Sequence, residues 1–183
     1  MTTLPEMDDI SEDMCVTLAA YGLFMVNWSL LETVLEVAIM KRLELHPLEG
    51  AIVTSSLGFQ ARASILRSFL ALDATVQAKE AIAVINTATQ EANRNTIIHG
   101  HVFFEGETLS FVYRKVDQGL TAKRVTVDSK SMLQRGANLR ESIVRLQSLL
   151  SISDDDLREF GNIGQRLAIS SVTSPKPPGS KNS

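Results

Sequence analysis

Apolar residues recur at steps of three and four along the first hundred positions, the spacing of amphipathic helices. A long first helix is predicted from Ser11, which suits a helix cap and precedes two acids, to the residues before Pro47. Because this helix has two apolar stripes, we expect it to be central or to form a dimer. The stripes are Met14, Leu18, Tyr21, Met25, Trp28, Leu31, Leu35 and Ala38, and Leu23, Val26, Leu30, Val34 and Val37.

Two further helices are predicted before the middle of the chain. Pro47 is well placed to begin the second helix, since proline is tolerated in a first helical turn. An interruption of this helix could occur near Gly58. Asp73 resembles the cap of a third helix, which runs to about His99 and is ended by Gly100.

The spacing of the apolar residues along the chain changes after Gly100. Short runs rich in β-favouring residues, separated by turn residues, predict a small antiparallel meander over about 101–127. Helical spacing returns at Asp128 or Ser129, and a last short helix is predicted from Ser153 or Asp154. The expected fold is mainly α: a bundle of about five helices with the small antiparallel β meander inserted after the third.

A single helical domain is predicted over residues 11–169. Residues 1–10 are expected to form a flexible acidic N-terminus, and residues 170–183 a disordered tail, because the tail has almost no apolar residues to bury. The one cysteine, Cys15, indicates a reducing compartment. Glu32 and Glu36 interrupt the longest apolar stretch, so no membrane span is predicted, and a cytoplasmic location is expected.

The formal charge of −3 argues against coating nucleic acid by bulk electrostatics, but the charge is unevenly distributed. Residues 1–50 contain nine acidic and two basic residues, whereas residues 94–145 contain nine basic and five acidic ones. An anionic ligand would therefore bind the second half, and the acidic half could bind a basic partner. The alternative is an ordinary solvated surface of mixed charge.

Several common site motifs are missing from the sequence. It has no glycine-rich phosphate loop, dinucleotide fingerprint or nucleophile elbow, so no cofactor is predicted. His99 and His101 flank Gly100, but a metal site would need further ligands from elsewhere, and none is predicted. His46, beside Pro47, is expected to contact the last carbonyls of the first helix.

The segment from Arg94 to His99 places an arginine, an amide and an imidazole at one helix end. At about 100° per residue, Asn95 and His99 lie nearly on one face, whereas Arg94 lies about 140° from His99. Arg94 can reach that face through its long side chain, or it can meet the His99 of a second subunit across a two-fold axis.

This combination suits the cleavage of RNA by its own 2′-hydroxyl group. Histidine transfers protons near neutral pH, and arginine forms paired hydrogen bonds to a phosphate that gains charge in the transition state. The alternative interpretation is structural, with Arg94 on the surface, Asn95 polar near a helix end, and His99 as a C-terminal cap.

The segment Arg94-Asn95-Thr96-Ile97-Ile98-His99 resembles the signature of the HEPN superfamily, the higher eukaryotes and prokaryotes nucleotide-binding domain. The order of the predicted helices over about residues 10–150 is similar to that of prokaryotic members. The resemblance implies a homodimer whose two motifs line a shared cleft and cut RNA without a metal ion, leaving a 2′,3′-cyclic phosphate. It implies that Arg94 binds and stabilises the scissile phosphate, that His99 is the acid and base, and that Asn95 orients His99 or the phosphate.

Five other residues are weaker candidates. Glu32 could orient a site residue, although a single helical glutamate is more often solvated. Trp28 is expected in the core rather than as a platform for stacking bases. His101, Arg114 and Lys115 could flank the cleft and bind substrate, or form the wet face of the meander.

Three functions follow from these observations. The first is a metal-independent endoribonuclease acting as a toxin or phage-defence effector, with an antitoxin or the protein of a neighbouring gene as partner. The second is a non-catalytic HEPN-like subunit that binds a nucleotide, RNA or another protein. The third is a helical scaffold in which the motif is fortuitous.

Overall fold

Six helices and three strands make up the part of the chain described by the structure, a computed structural model covering residues 11–91, 97, 101–105, 108–116 and 120–173. The helices are α1 (Glu12–Arg42), α2 (Pro47–Ser55), α3 (Phe59–Asp73), α4 (Val76–Glu91), α5 (Ser129–Leu149) and α6 (Asp154–Thr173). The strands are β1 (His101–Glu105), β2 (Thr108–Val116) and β3 (Leu120–Val127). The predicted mainly α fold with a small antiparallel meander is confirmed.

Helix α1 is the central element of the bundle, packing against α2, α3 and α5. As predicted, Ser11 caps it, and the Ser11 hydroxyl accepts a hydrogen bond from the Met14 amide at 3.2 Å. By length and composition alone, α1 could also cross a membrane. The core helix of a soluble protein can have the same length and composition. Here α1 contributes thirteen buried residues to the fold.

The second predicted helix is divided in two, which raises the helix count among the described residues to six. Helix α2 ends at Ser55, and α3 begins after Gly58. The expectation for His46 is wrong, because His46 caps the start of α2 instead of contacting the end of α1. Its Nδ1 accepts from the Leu48 amide at 3.3 Å, and its own amide donates to Glu49 at 3.0 Å. The reason is local: Pro47 fixes a helical φ immediately after it.

The cap of α4 also differs from the prediction. Asp73 is the last residue of α3, and its carboxylate pairs with Arg42 at the end of α1. Ala74 follows with a positive φ of 53°, which breaks the helix. Thr75 then caps α4 by accepting a hydrogen bond from the Ala78 amide at 3.0 Å. Either residue type can cap a helix, and here Thr75 does so while Asp73 pairs with Arg42.

The three strands lie within the predicted meander and form one sheet in the order β1-β2-β3. In the register of the sheet, His101 of β1 lies opposite Val112, and Leu109 of β2 lies opposite Val127. Leu109 and Val127 are buried, and Phe111 packs against Tyr21 of α1 with ring centroids 5.4 Å apart. One face of the sheet therefore joins the core of the bundle.

Helices α5 and α6 complete the bundle. Asp128 caps α5, which approaches α1 at Gly136, where the Asn27 amide donates to the Gly136 carbonyl at 3.1 Å. Helix α6 continues to Thr173, four residues beyond the predicted domain boundary at 169. The rest of the predicted tail, like residues 1–10, lies outside the described residues.

Candidate functional site

The segment with the predicted catalytic residues connects α4 to the sheet. Helix α4 ends at Glu91, and β1 begins at His101. Arg94, Asn95 and His99 lie outside the described residues. Between them, Ile97 is helical and fully buried, and it belongs to the hydrophobic core of the domain. The segment is therefore anchored to the core at Ile97.

A shallow groove lies beside the end of α4. Gln90 lines it from α4, and α5 contributes a hydroxyl, two amides and a guanidinium, from Ser131, Gln134, Asn138 and Arg135. The groove has a volume of about 520 Å³ and is wide open to solvent. The Gln134 amide donates to Asn138 at 2.8 Å, which orders part of the floor. Such side chains can donate to phosphate oxygens and to base edges.

The three weaker candidates on the sheet lie on β1 and β2. His101 is exposed at the start of β1. On β2, Arg114 lies opposite Ala122 and Lys115 opposite Thr121. Because successive strand positions alternate between the two faces of a sheet, Arg114 and Lys115 belong to opposite faces. The register places His101 on the same face as Arg114, since the residue opposite His101 is Val112, two positions before Arg114.

Glu32 belongs to a buried polar cluster that joins α1, α2 and α3. The centre of the cluster is Arg62 of α3, whose Nη2 lies 2.7 Å from Glu36 and whose Nη1 lies 3.8 Å from Glu32. Arg62 also donates from Nε and Nη2 to the Thr54 carbonyl at 3.3 and 3.1 Å. That carbonyl belongs to the last turn of α2, where carbonyls lack partners within the helix. The half-buried Glu32 thus contacts a helix-bridging arginine.

The electrostatics of this cluster centre on Glu36. Burial raises the pKa of the Glu36 carboxyl above its ordinary value, the Arg62 guanidinium opposes this, the Glu32 carboxylate adds to it, and a hydrogen bond from Thr54 lowers it. Burial and the neighbouring acid therefore outweigh the counterion. The cluster can connect three helices and respond to pH.

Sequence reasoning missed Arg62, Glu36 and Thr54 as a group, although the sequence contained a signal. Glu32 and Glu36 are four residues apart on an otherwise apolar helix, so both belong to one face that has to be buried. Arg62 likewise lies on the buried face of α3, between Phe59 and Leu66. Charged residues on two apolar helix faces predict a buried ion pair, but only the fold shows which acid pairs with which base.

Trp28 is a core residue, as predicted. It is almost fully buried, and its ring packs on Phe59 with centroids 4.4 Å apart. A base could not stack on a ring so enclosed. Among the described residues, no group of three or more histidine, cysteine, aspartate or glutamate side chains could hold a metal ion.

Comparisons with family models, with curated proteins and with solved structures find no match for this chain. The HEPN resemblance therefore stays a prediction from the segment Arg94–His99.

Proposed function

We propose that the protein is a metal-independent endoribonuclease of the HEPN kind, which cleaves RNA by attack of the 2′-hydroxyl group. The observation that carries the proposal is the sequence from Arg94 to His99, which combines a phosphate-binding guanidinium, an amide and a proton-transferring imidazole. The buried Ile97 supports it, because the segment then contains a residue of the hydrophobic core of the domain. The open polar groove at the end of α4 supports it as well, since a polymer needs an accessible site.

In this mechanism neutral His99 accepts the proton of the 2′-hydroxyl group and then donates it to the leaving 5′-oxygen. Arg94 binds the scissile phosphate and stabilises the charge that develops on its oxygens, while Asn95 orients His99 or the phosphate. The 2′-oxygen forms a bond to phosphorus as the bond to the 5′-oxygen breaks, which leaves a 2′,3′-cyclic phosphate. The residues come from one chain or from both subunits of a homodimer.

The biological role that we propose is that of a cytoplasmic toxin or phage-defence effector. A toxin of this kind needs a restraining partner, an antitoxin or the protein of a neighbouring gene. The acidic surplus of residues 1–50 supports a basic surface on such a partner.

The second candidate function is a non-catalytic subunit that binds a nucleotide or RNA, or assembles with another protein. The groove beside α4 favours it, because amides and a hydroxyl supply most of its described lining, and these groups bind without transferring protons.

The test compares purified wild type with His99→Ala on transfer and total RNA in the presence of a chelator. We expect wild type to cut RNA and the variant to lose about 10²–10⁴-fold in rate, the usual contribution of general acid-base catalysis. His46→Asn is the matched control, because His46 is an exposed cap and asparagine caps helices equally well. A 2′-deoxy substitution at the cut site should abolish cleavage.

Two results would contradict the nuclease. One is RNA cleavage that is equal in wild type and His99→Ala, and the other is RNA that stays intact with wild type. Intact RNA together with tight nucleotide binding would support the non-catalytic subunit. Mixing Arg94→Ala with His99→Ala distinguishes the two site geometries, because only a site shared between subunits regains activity in mixed dimers.

A further inference from the structure

An exposed apolar face runs along the N-terminal half of α1. No charged residue occurs between Asp13 and Glu32. On the outer side of this stretch, Leu23 is 49% exposed and Val26 is 65% exposed. Exposed positions follow alternating steps of three and four residues, at Val16, Ala19, Leu23 and Val26, and the partly buried Leu30 continues the series. This is the spacing of a seam that packs against another helix.

Helix α5 extends the same face. Gly136 lies against the α1 backbone, since a Cβ built on it would be 3.8 Å from the Phe24 Cα. Leu133 and Val144 are about half exposed, and Ala137 is exposed as well. On the helical wheel these three lie about 60–100° from Gly136, on the side away from α4. Together with the five α1 residues they form one surface, called here the α1–α5 face.

We infer that the α1–α5 face binds a second copy of this chain in an antiparallel arrangement. This inference goes beyond the proposed function and does not depend on it. A seam of 3.5-residue period packs against a helix that has the same period. A two-fold axis perpendicular to α1 places α1 of the second copy in that position. Pairing Leu23 with Val26 of the other copy fills both seams.

Charge selects the antiparallel orientation over the parallel one. Glu12 and Asp13 occupy the first turn of α1. Parallel helices would place these acids beside their own copies, whereas antiparallel helices separate them along the axis. The same acids disfavour a lipid surface, because interfacial helices usually carry lysine and arginine beside the apolar face.

The size of the face fits a weak dimer. From Val16 to Leu30 the helix rises about 21 Å, and two packed helices are about 20 Å wide, so each copy contributes a flat area of roughly 400 Å². The total of about 800 Å² for the two copies is below the size of a stable specific interface, about 1,200 Å² or more. We therefore expect a dimer that forms only at high protein concentration.

The proposed interface lies on the side of the bundle away from α4. Helices α1 and α4 each pack against α3 and α5, and so occupy opposite corners of the bundle.

The first test measures the mass of the full-length chain by light scattering across a concentration series. Wild type should shift from 20.1 kDa towards twice that mass. Val26→Glu should weaken the dimer at least tenfold while the circular dichroism spectrum is unchanged. Ile52→Glu is the matched control, because Ile52 is a β-branched helical residue, 66% exposed, on α2. This variant should dimerise like wild type.

Crosslinking tests the orientation. Pairing Leu23 with Val26 of the second copy separates the two Cys15 residues by about 28 Å along the axis. A short thiol crosslinker should therefore leave wild type uncrosslinked, whereas Val26→Cys in a Cys15→Ser background should crosslink efficiently. Crosslinking through Cys15 in wild type would overturn the antiparallel arrangement.

Three further results would overturn the inference: a wild type that stays monomeric at every concentration, a dimer unaffected by Val26→Glu, or a monomer that binds neutral phosphatidylcholine vesicles through this face. None of them bears on RNA cleavage. Conversely, intact RNA in the nuclease assay would contradict the nuclease and would not contradict the dimer. The two proposals are therefore tested independently.

Discussion

The two halves of α1 have the same sequence pattern but different surroundings. In the C-terminal half, Val34 and Val37 are fully buried beneath neighbouring helices, although they belong to the second apolar stripe. In the N-terminal half, Leu23 and Val26 of that same stripe are exposed. A repeated pattern therefore does not reveal which part of a stripe is covered within the chain. The following variants test whether the two halves also differ in how much their residues contribute to the free energy of unfolding.

Removing Arg62 should cause the largest loss, because it leaves Glu36 in the C-terminal half without its counterion. We expect Arg62→Ala to lower the free energy of unfolding by about 3–5 kcal/mol near neutral pH, as measured by urea denaturation. Arg158→Ala is the control, since Arg158 forms an exposed ion pair with Asp155 and its loss should change stability little.

The loss in Arg62→Ala should also depend on pH. Arg62 opposes the increase in the pKa of Glu36, so its removal raises that pKa further. A group with a raised pKa binds its proton more tightly in the folded than in the unfolded state, so the free energy of unfolding falls as pH rises above the ordinary glutamate range. A destabilisation independent of pH would contradict this account of the cluster.

Truncating matched leucines in the two halves should have the next largest effect. Leu35 is fully buried and Leu23 is half exposed. We expect Leu35→Ala to cost about 3 kcal/mol through lost burial and a residual cavity. Leu23→Ala should cost under about 0.5 kcal/mol in the monomer, because its side chain is still in water there. Measurement at protein concentrations below the dimer range keeps self-association out of the comparison, and similar losses for both would remove the contrast between the halves.

A smaller loss than for Arg62 or Leu35 is expected at the end of the C-terminal half, where Lys41 reaches α6. Its Nζ lies 2.8 Å from Asp156 and donates to the Ser151 carbonyl at 2.9 Å. Asp156 also accepts from the Ser153 amide, while the Ser153 hydroxyl accepts from the Asp156 amide, as in a capping box. Asp156→Asn should cost about 1 kcal/mol at neutral pH.

The loss of stability in Asp156→Asn should disappear at acidic pH. The hydrogen bond from Lys41, followed by that from the Ser153 amide, lowers the pKa of Asp156 below the ordinary aspartate value. The stabilisation is therefore present above that range and is lost as pH falls through the lowered pKa. Thermal melts at neutral and acidic pH measure the difference, with Asp155→Asn as the exposed control. A deficit in Asp156→Asn that persists in acid would argue against this ion pair.

Much of the fold could be predicted from the sequence, because caps, turns and periodicity are local. Ser11, the break near Gly58 and the three strands all agree with their predicted positions. The errors at His46 and Asp73 have one cause. Each residue suits more than one helix end: His46 directly precedes Pro47 and caps α2, and Asp73 ends α3 and pairs with a distant arginine, Arg42.

The candidate site divides in the same way. The sequence alone supplies the chemical groups of the segment from Arg94 to His99, since an imidazole and a guanidinium have their proton-transfer and phosphate-binding properties wherever they lie. It could not show that Ile97 between them is buried in the core, or that Gln90 lies beside α5 at an open groove. Those relations join elements far apart in the chain.

The sequence by itself determined the helices, the meander and the types of reactive group, because backbone periodicity and side-chain chemistry need no distant partner. Only the tertiary structure decided that Arg62 binds Glu36, that the two halves of α1 differ in burial, and that α1 and α5 share an exposed apolar face. These outcomes depend on which surfaces pack together, and an apolar stripe is compatible with any partner of similar shape.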